Sequence, residues 1–166
     1  MKKYENVKID IVVPPYSGHL YPILELIKPL LKEEKYDICI YTGAQRKMFL
    51  KNMGIKCKVV LEDRPTFFED VANTAEKTNA FVSYSQFKKN LKVIPDIVKE
   101  LELGFKERNP DIIVADFVAV PAGVIAKKMG IPWITAIPTP FAIESKTTPP
   151  SYMGGWYPRK GVIYKL

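Results

Sequence analysis

Short apolar runs of strand length alternate with segments of helical period along almost the whole chain, and that alternation leaves few folds open. Residues 7–13 form a nearly continuous apolar run, as in a parallel strand covered on both faces. Residues 18–33 follow, with Leu20, Ile23, Leu24, Ile27, Leu30 and Leu31 at spacings of three and four, which predicts a helix with one apolar face. Pro22 is read as lying in its first turn. Pro29 is expected to kink its last turn, because proline removes the hydrogen bond to Glu25. Strands are expected over 36–41 and 55–61, with a helix over 45–53 between them that Gly54 ends. Past a polar connection at 62–79 with a short helix, a helical period returns over 80–108. There Tyr84, Leu91, Val98 and Phe105 are seven apart, with Phe87, Ile94 and Leu101 three residues further on. This stripe reads as core packing, and Pro95 as a kink or a break. A strand at 111–116, a helix at 120–129 with Pro121 in its first turn and Gly130 past its end, and a strand at 132–137 complete the pattern. From 138 to 160 the composition turns to Pro, Thr, Ser, Gly and aromatics, which predicts a loop.

Five strands joined by crossover helices imply an α/β fold with a doubly wound parallel sheet. If the order is 3-2-1-4-5, the first and fourth strands are neighbours at the switch point, and their C-terminal ends flank the crevice where such sheets bind ligands. The first strand delivers Tyr16, Ser17, Gly18 and His19, the only histidine of the chain. The fourth delivers Asp116. A neutral imidazole is a general base near pH 7, and a carboxylate on its second nitrogen fixes the tautomer and stabilises the imidazolium formed on proton uptake. The plain alternatives are a helix-capping or surface role for His19 and a cap or turn role for Asp116.

Composition narrows the classes. The 166 residues amount to about one domain, and 47% hydrophobic content is enough for a real core. There is no run of about 18 apolar residues and no signal-peptide pattern, so no transmembrane segment and a cytoplasmic location are expected. Cys39 and Cys57 fall in predicted strands without metal-ligand spacing and read as buried free thiols, and no metal site is expected. The formal charge of +7 comes from scattered residues and not from a basic stripe interleaved with aromatics, which argues against nucleic acid as a partner. The turn after the first strand carries a single glycine and no GxGxxG, and there is no Walker A sequence, so redox and ATP chemistry are unsupported and no cofactor is expected. A hydrolase built on Ser17, His19 and Asp116 lacks the G-x-S-x-G elbow.

The segment Pro14-Pro-Tyr-Ser-Gly-His-Leu-Tyr-Pro22 resembles the strand-to-helix motif of UDP-sugar-dependent glycosyltransferases with the GT-B fold. Asn109-Pro-Asp-Ile-Ile-Val-Ala-Asp-Phe-Val-Ala-Val-Pro-Ala122 resembles their second motif, and Met129-Gly-Ile-Pro-Trp-Ile134 the next helix-to-strand junction. Bacterial macrolide and carotenoid glucosyltransferases are the most similar in character, partly for Ser151-Tyr-Met-Gly-Gly-Trp156. The resemblance covers essentially the whole chain. It implies a Rossmann-like half of a GT-B fold and inverting transfer of a sugar from a nucleotide donor to an acceptor hydroxyl, with His19 as base and Asp116 as its partner. Tyr16, Ser17, Gly18, Phe117, Thr139 and Phe141 would line the acceptor cleft, as would Phe67, Phe68, Phe81 and Tyr84, whose individual alternative is core packing. Aromatic walls favour a flat or apolar small-molecule acceptor.

The family has a second domain that holds most of the UDP-sugar, and nothing in residues 1–166 corresponds to it. The expectation is therefore a single acceptor-binding domain over 1–166, lacking its last elements and inactive alone, whose partner is a C-terminal donor domain or subunit. Apolar surface left at an edge of the sheet would favour self-association. The alternative is a non-catalytic Rossmann-like module that binds a small molecule or a partner in the same crevice.

Overall fold

The computed structural model describes residues 6–72 and 80–138. Met1–Ala136 form one unit and Ile137–Leu166 another; the elements described below all belong to the first. Strand β1 (Val7–Val12) leads into α1 (Ser17–Ile27), then β2 (Tyr36–Thr42), α2 (Lys47–Asn52), β3 (Lys56–Val59), α3 (Phe67–Ala72), α4 (Ala80–Arg108), β4 (Ile112–Asp116), α5 (Val120–Met129) and β5 (Trp133–Ala136). The five strands pair in parallel in the order β3-β2-β1-β4-β5, with Val12 beside Tyr41 on one side and Ala115 on the other. This is the order expected of the alternating pattern, with β1 and β4 adjacent at the switch point.

The pleat divides the strand residues between two cores. Ile9, Ile11, Val13, Ile38 and Ile40 face one side, where they pack with Leu20, Ile23, Leu24 and Ile27 of α1 and Leu50 of α2. Burying each of these aliphatic side chains contributes roughly 1.5–3 kcal/mol. Val12, Cys39, Tyr41, Ile113 and Ala115 face the other side, against Leu101 and Phe105 of α4 and Ala122, Ile125 and Ala126 of α5. Helix α4 approaches β2 closely at Gly104, where an added Cβ would lie 2.6 Å from the Tyr41 ring. Cys39 is buried and Cys57 half-buried, and both are free.

Pro22 and Pro29 act differently from expectation. Pro22 is the sixth residue of α1, in its second turn, and its missing N–H leaves the Gly18 carbonyl without that helical donor. The helix does not continue through Pro29; it ends at Ile27, and Pro29 caps a separate 3-10 turn, Leu30–Lys32. Pro95, expected to mark a kink or a break, lies inside one uninterrupted helix.

The apolar stripe of α4 is core only in part. Leu101 and Phe105 are buried, whereas Tyr84, Phe87, Leu91 and Ile94 are exposed. Length explains the difference. Twenty-nine helical residues run about 43 Å, against about 20 Å for a six-residue strand such as β1, so a helix of this length cannot be covered by the sheet over its whole run.

Candidate functional site

The local sequence after β1 dictates how the chain leaves the sheet. Val13 N–H still donates to the Tyr41 carbonyl at 3.1 Å, but Pro14 and Pro15 have no N–H to give a neighbouring strand. Tyr16 then takes an extended conformation as the N-cap of α1, and its carbonyl accepts from the N–H groups of His19 (3.0 Å) and Leu20 (2.9 Å). His19 is the third residue of the helix, just above the end of β1. Arg46, in the turn after β2, secures this corner by donating from Nε to the Pro15 carbonyl and from Nη2 to Ser17 Oγ, both at 2.7 Å.

Strand β4 ends beside it at Asp116. His19 Nδ1 lies 3.0 Å from both carboxylate oxygens of Asp116, across 97 residues of sequence. A carboxylate accepts only, so Nδ1 carries the hydrogen, and in the neutral ring the lone pair is on Nε2. Asp116 is fully buried, while the His19 side chain is 21% exposed. Asp116 Oδ1 also accepts from Val118 N–H at 3.0 Å, so the residue serves as a turn cap as well as the imidazole's partner. The Phe117 ring stacks on His19 with centroids 5.6 Å apart and planes 20° apart. Nε2 is thus an oriented proton acceptor.

A cleft of about 390 Å³ opens beside the imidazole, within the range of small-molecule sites. Its walls come from the end of β1, the end of β2, α3, α4 and the start of α5: Val12, Tyr16, His19, Thr42, Phe67, Phe68, Asn90, Ile94, Leu101 and Val118 among others. Tyr16 donates to the Phe68 carbonyl at 3.1 Å, and its ring meets Phe68 edge to face. Burial pushes the Tyr16 phenol above its ordinary value, so it remains a donor at neutral pH.

Of the residues expected to line the cleft, Tyr16, Phe67 and Phe68 do so, and Phe117 sits behind His19. Ser17 and Gly18 are exposed and lie outside the wall. Successive helical residues point about 100° apart, so only one of the three in this turn faces inward. Tyr84 is exposed on α4 and also lies outside the wall. It precedes Ile94, which does line the cleft, by ten residues or about 15 Å of helix. The side chain of Phe81, and Thr139 and Phe141 altogether, lie outside the described residues.

No family model matches the chain. It is 28% identical over 134 residues to the NDP-glycosyltransferase YjiC of Bacillus subtilis (strain 168), a match that covers 81% of this chain and 32% of that protein. Among solved structures, the glycotransferase of kitacinnamycin superposes with a TM-score of 0.60 at 24% identity, covering 80% of this chain and 30% of its own. The likeness is one of fold, to a Rossmann-like half of the GT-B fold. TcCGT1, solved in complex with UDP, superposes with a TM-score of 0.59 at 15% identity, covering 82% of this chain and 29% of its own. The chain thus spans about a third of the length of the curated relative, in its N-terminal part.

Within this GT-B half, sequence reasoning missed Arg46, Thr42 and Asn90. Thr42 was findable, because it ends β2 next to β1 and so sits at the same kind of strand terminus that singled out Asp116. Asn90 has no such marker; it is one polar residue in a long helix. Among the described residues no cluster of three metal-ligating side chains occurs, and no helix is long and apolar enough to cross a membrane.

Proposed function

We propose that this chain is the acceptor-side half of an inverting glycosyltransferase. The observation that carries the reading is the His19–Asp116 pair, oriented with Nε2 free, beside an apolar cleft of small-molecule size. In the reaction the acceptor hydroxyl gives its proton to His19 Nε2, and the acceptor oxygen forms a bond to the anomeric carbon of the donor sugar. The bond from that carbon to the nucleotide phosphate breaks, and the nucleoside diphosphate leaves with the electron pair. Displacement from the opposite face inverts the anomeric configuration. Asp116 accepts from Nδ1–H throughout and stabilises the imidazolium; positioned base catalysis of this kind is worth roughly 10²–10⁴-fold.

The donor is a UDP-sugar, as the UDP bound to TcCGT1 suggests. It would be held mainly by a second domain, since the chain matches about a third of its relatives' length. On this reading the 166 residues in isolation transfer no sugar. The test is complementation: the chain is mixed with the C-terminal domain of the Bacillus subtilis relative, UDP-glucose and a panel of phenolic and polyketide acceptors. Glucoside of inverted configuration that forms only in the mixture, and is lost with His19→Ala, is the expected result. Product from the chain alone would overturn the division of labour, and turnover that survives His19→Ala would overturn the role of the base.

A further inference from the structure

The first turn of α1, which carries His19, is poorly held by its own helix. Its N-cap, Tyr16, makes no side-chain capping bond, and no acidic residue lies in the turn to meet the positive end of the helix. Gly18 adds backbone freedom, and its carbonyl lacks the donor that a residue other than Pro22 would supply. Arg46 makes up the deficit from outside. It ends the short turn Ala44–Arg46 after β2, where the chain runs so close to Pro15 that a Cβ on Gly43 would lie 2.8 Å from Pro15 Cγ. From there the guanidinium reaches three points of the segment that leaves β1. Two are the Pro15 carbonyl and Ser17 Oγ, each at 2.7 Å, and the third is the Tyr21 ring, with Cζ 5.9 Å from its centroid. Pro15 and Ser17 flank the N-cap, four and two residues before His19. A cation at the N-terminal end of a helix gains nothing from the dipole, so helix stability does not explain its place there.

We propose that Arg46 is a positioning residue for His19: its forked donors fix the Pro15–Ser17 turn and so set the imidazole where Asp116 can hold its tautomer. This rests on the reading of His19 as the base. A guanidinium presents its N–H groups in one plane at fixed angles, so bonds from Nε and Nη2 define both the place and the direction of the turn. An ammonium on a flexible stem, bonding at one point, defines only a distance. Arg46 is not among the residues of the cleft wall, so it acts through the backbone and not on a substrate. The same clamp gives Ser17, exposed and outside the wall, a part in the site as the point where the turn is gripped. The effect on chemistry is large because a base misplaced by about 1 Å can cost about 10²-fold in rate.

His19 is the only histidine, so its ring nitrogens give unambiguous signals in long-range proton–nitrogen NMR spectra of the 166-residue chain. At a pH where the ring is neutral, the wild type should show one protonated nitrogen, Nδ1, and one bare nitrogen, with well-separated shifts. Arg46→Met keeps most of the side-chain length and loses the donors, and its two nitrogen shifts should draw together as the tautomers interconvert. Arg46→Lys and Ser17→Ala, which each keep one bond of the clamp, should fall between; they decide the matter where Arg46→Met fails to fold. In the complemented assay Arg46→Met should lower kcat about 10- to 100-fold. A His19 spectrum that Arg46→Met leaves unchanged, whether or not urea unfolding shifts, makes Arg46 a structural brace and overturns the proposal. A wild-type spectrum in Arg46→Lys assigns the effect to charge and overturns the clamp, as do averaged tautomers in the wild type itself. Absence of turnover in the complemented wild type defeats the acceptor reading, and the nitrogen shifts still decide the clamp.

Discussion

Asp10 and Asp116 are both buried carboxylates on adjacent parallel strands, and their surroundings part them completely. Asp10, in the middle of β1, accepts from Tyr41 Oη at 2.9 Å and from Arg108 Nε at 2.7 Å, and the Arg108 side chain is itself 13% exposed. Burial pushes its carboxyl above the ordinary value, while Arg108 and Tyr41 hold it down. Both of its partners remain committed to the interior. Asp116, at the end of β4, accepts from a histidine whose other nitrogen has no partner among the described residues and which lines a cleft. A charge enclosed by a guanidinium from α4 and a phenol from β2 ties that helix to the sheet. A charge bonded to one face of an imidazole transmits its influence to the other face, where a proton can move.

The comparison breaks first at His19. In the complemented assay His19→Ala should lower turnover by about 10²–10⁴-fold, while urea unfolding shows little change; a large loss of stability would make the pair structural, like that at Asp10. Arg108→Ala should do the reverse, removing about 3–5 kcal/mol of stability by leaving the buried Asp10 without its counter-ion, as urea unfolding would show. Tyr41→Phe takes away one of Asp10's two side-chain donors and keeps the ring packed on Phe105, so the loss should be smaller, about 1–3 kcal/mol on the same urea curve. The smallest effect is a matter of reactivity. Burial pushes the Cys39 thiol up to about 11, so at pH 8 it stays protonated and iodoacetamide should label it only after unfolding. Labelling of the native protein, read by mass spectrometry, would show that this face of the sheet opens.

The contrast between the two aspartates also separates what the residues disclosed from what they did not. Strand order, the proline-ended β1 and the meeting of His19 with Asp116 follow from local periodicity and one topological rule, so they were legible. The Asp10 network was not, because its members are 31 and 98 residues apart and none has a marked local setting. Helix α4 shows the same limit in another form. A seven-residue repeat says which face is apolar, but not how much of that face is covered, so the exposure of Tyr84, Phe87 and Leu91 was not foreseen. Cleft membership at Thr42 and Asn90 depends on how far two elements lie apart, a quantity that no single segment encodes.

Gly104 has a consequence that reaches beyond packing. Helix α4 packs that glycine against Tyr41, and ten residues along the same rod, about 15 Å away, Ile94 forms part of the cleft wall. One methyl group at position 104 must displace either the tyrosine ring or the rod. Since Tyr41 and Ile94 both line the cleft, its bore is geared to a position outside the lining itself.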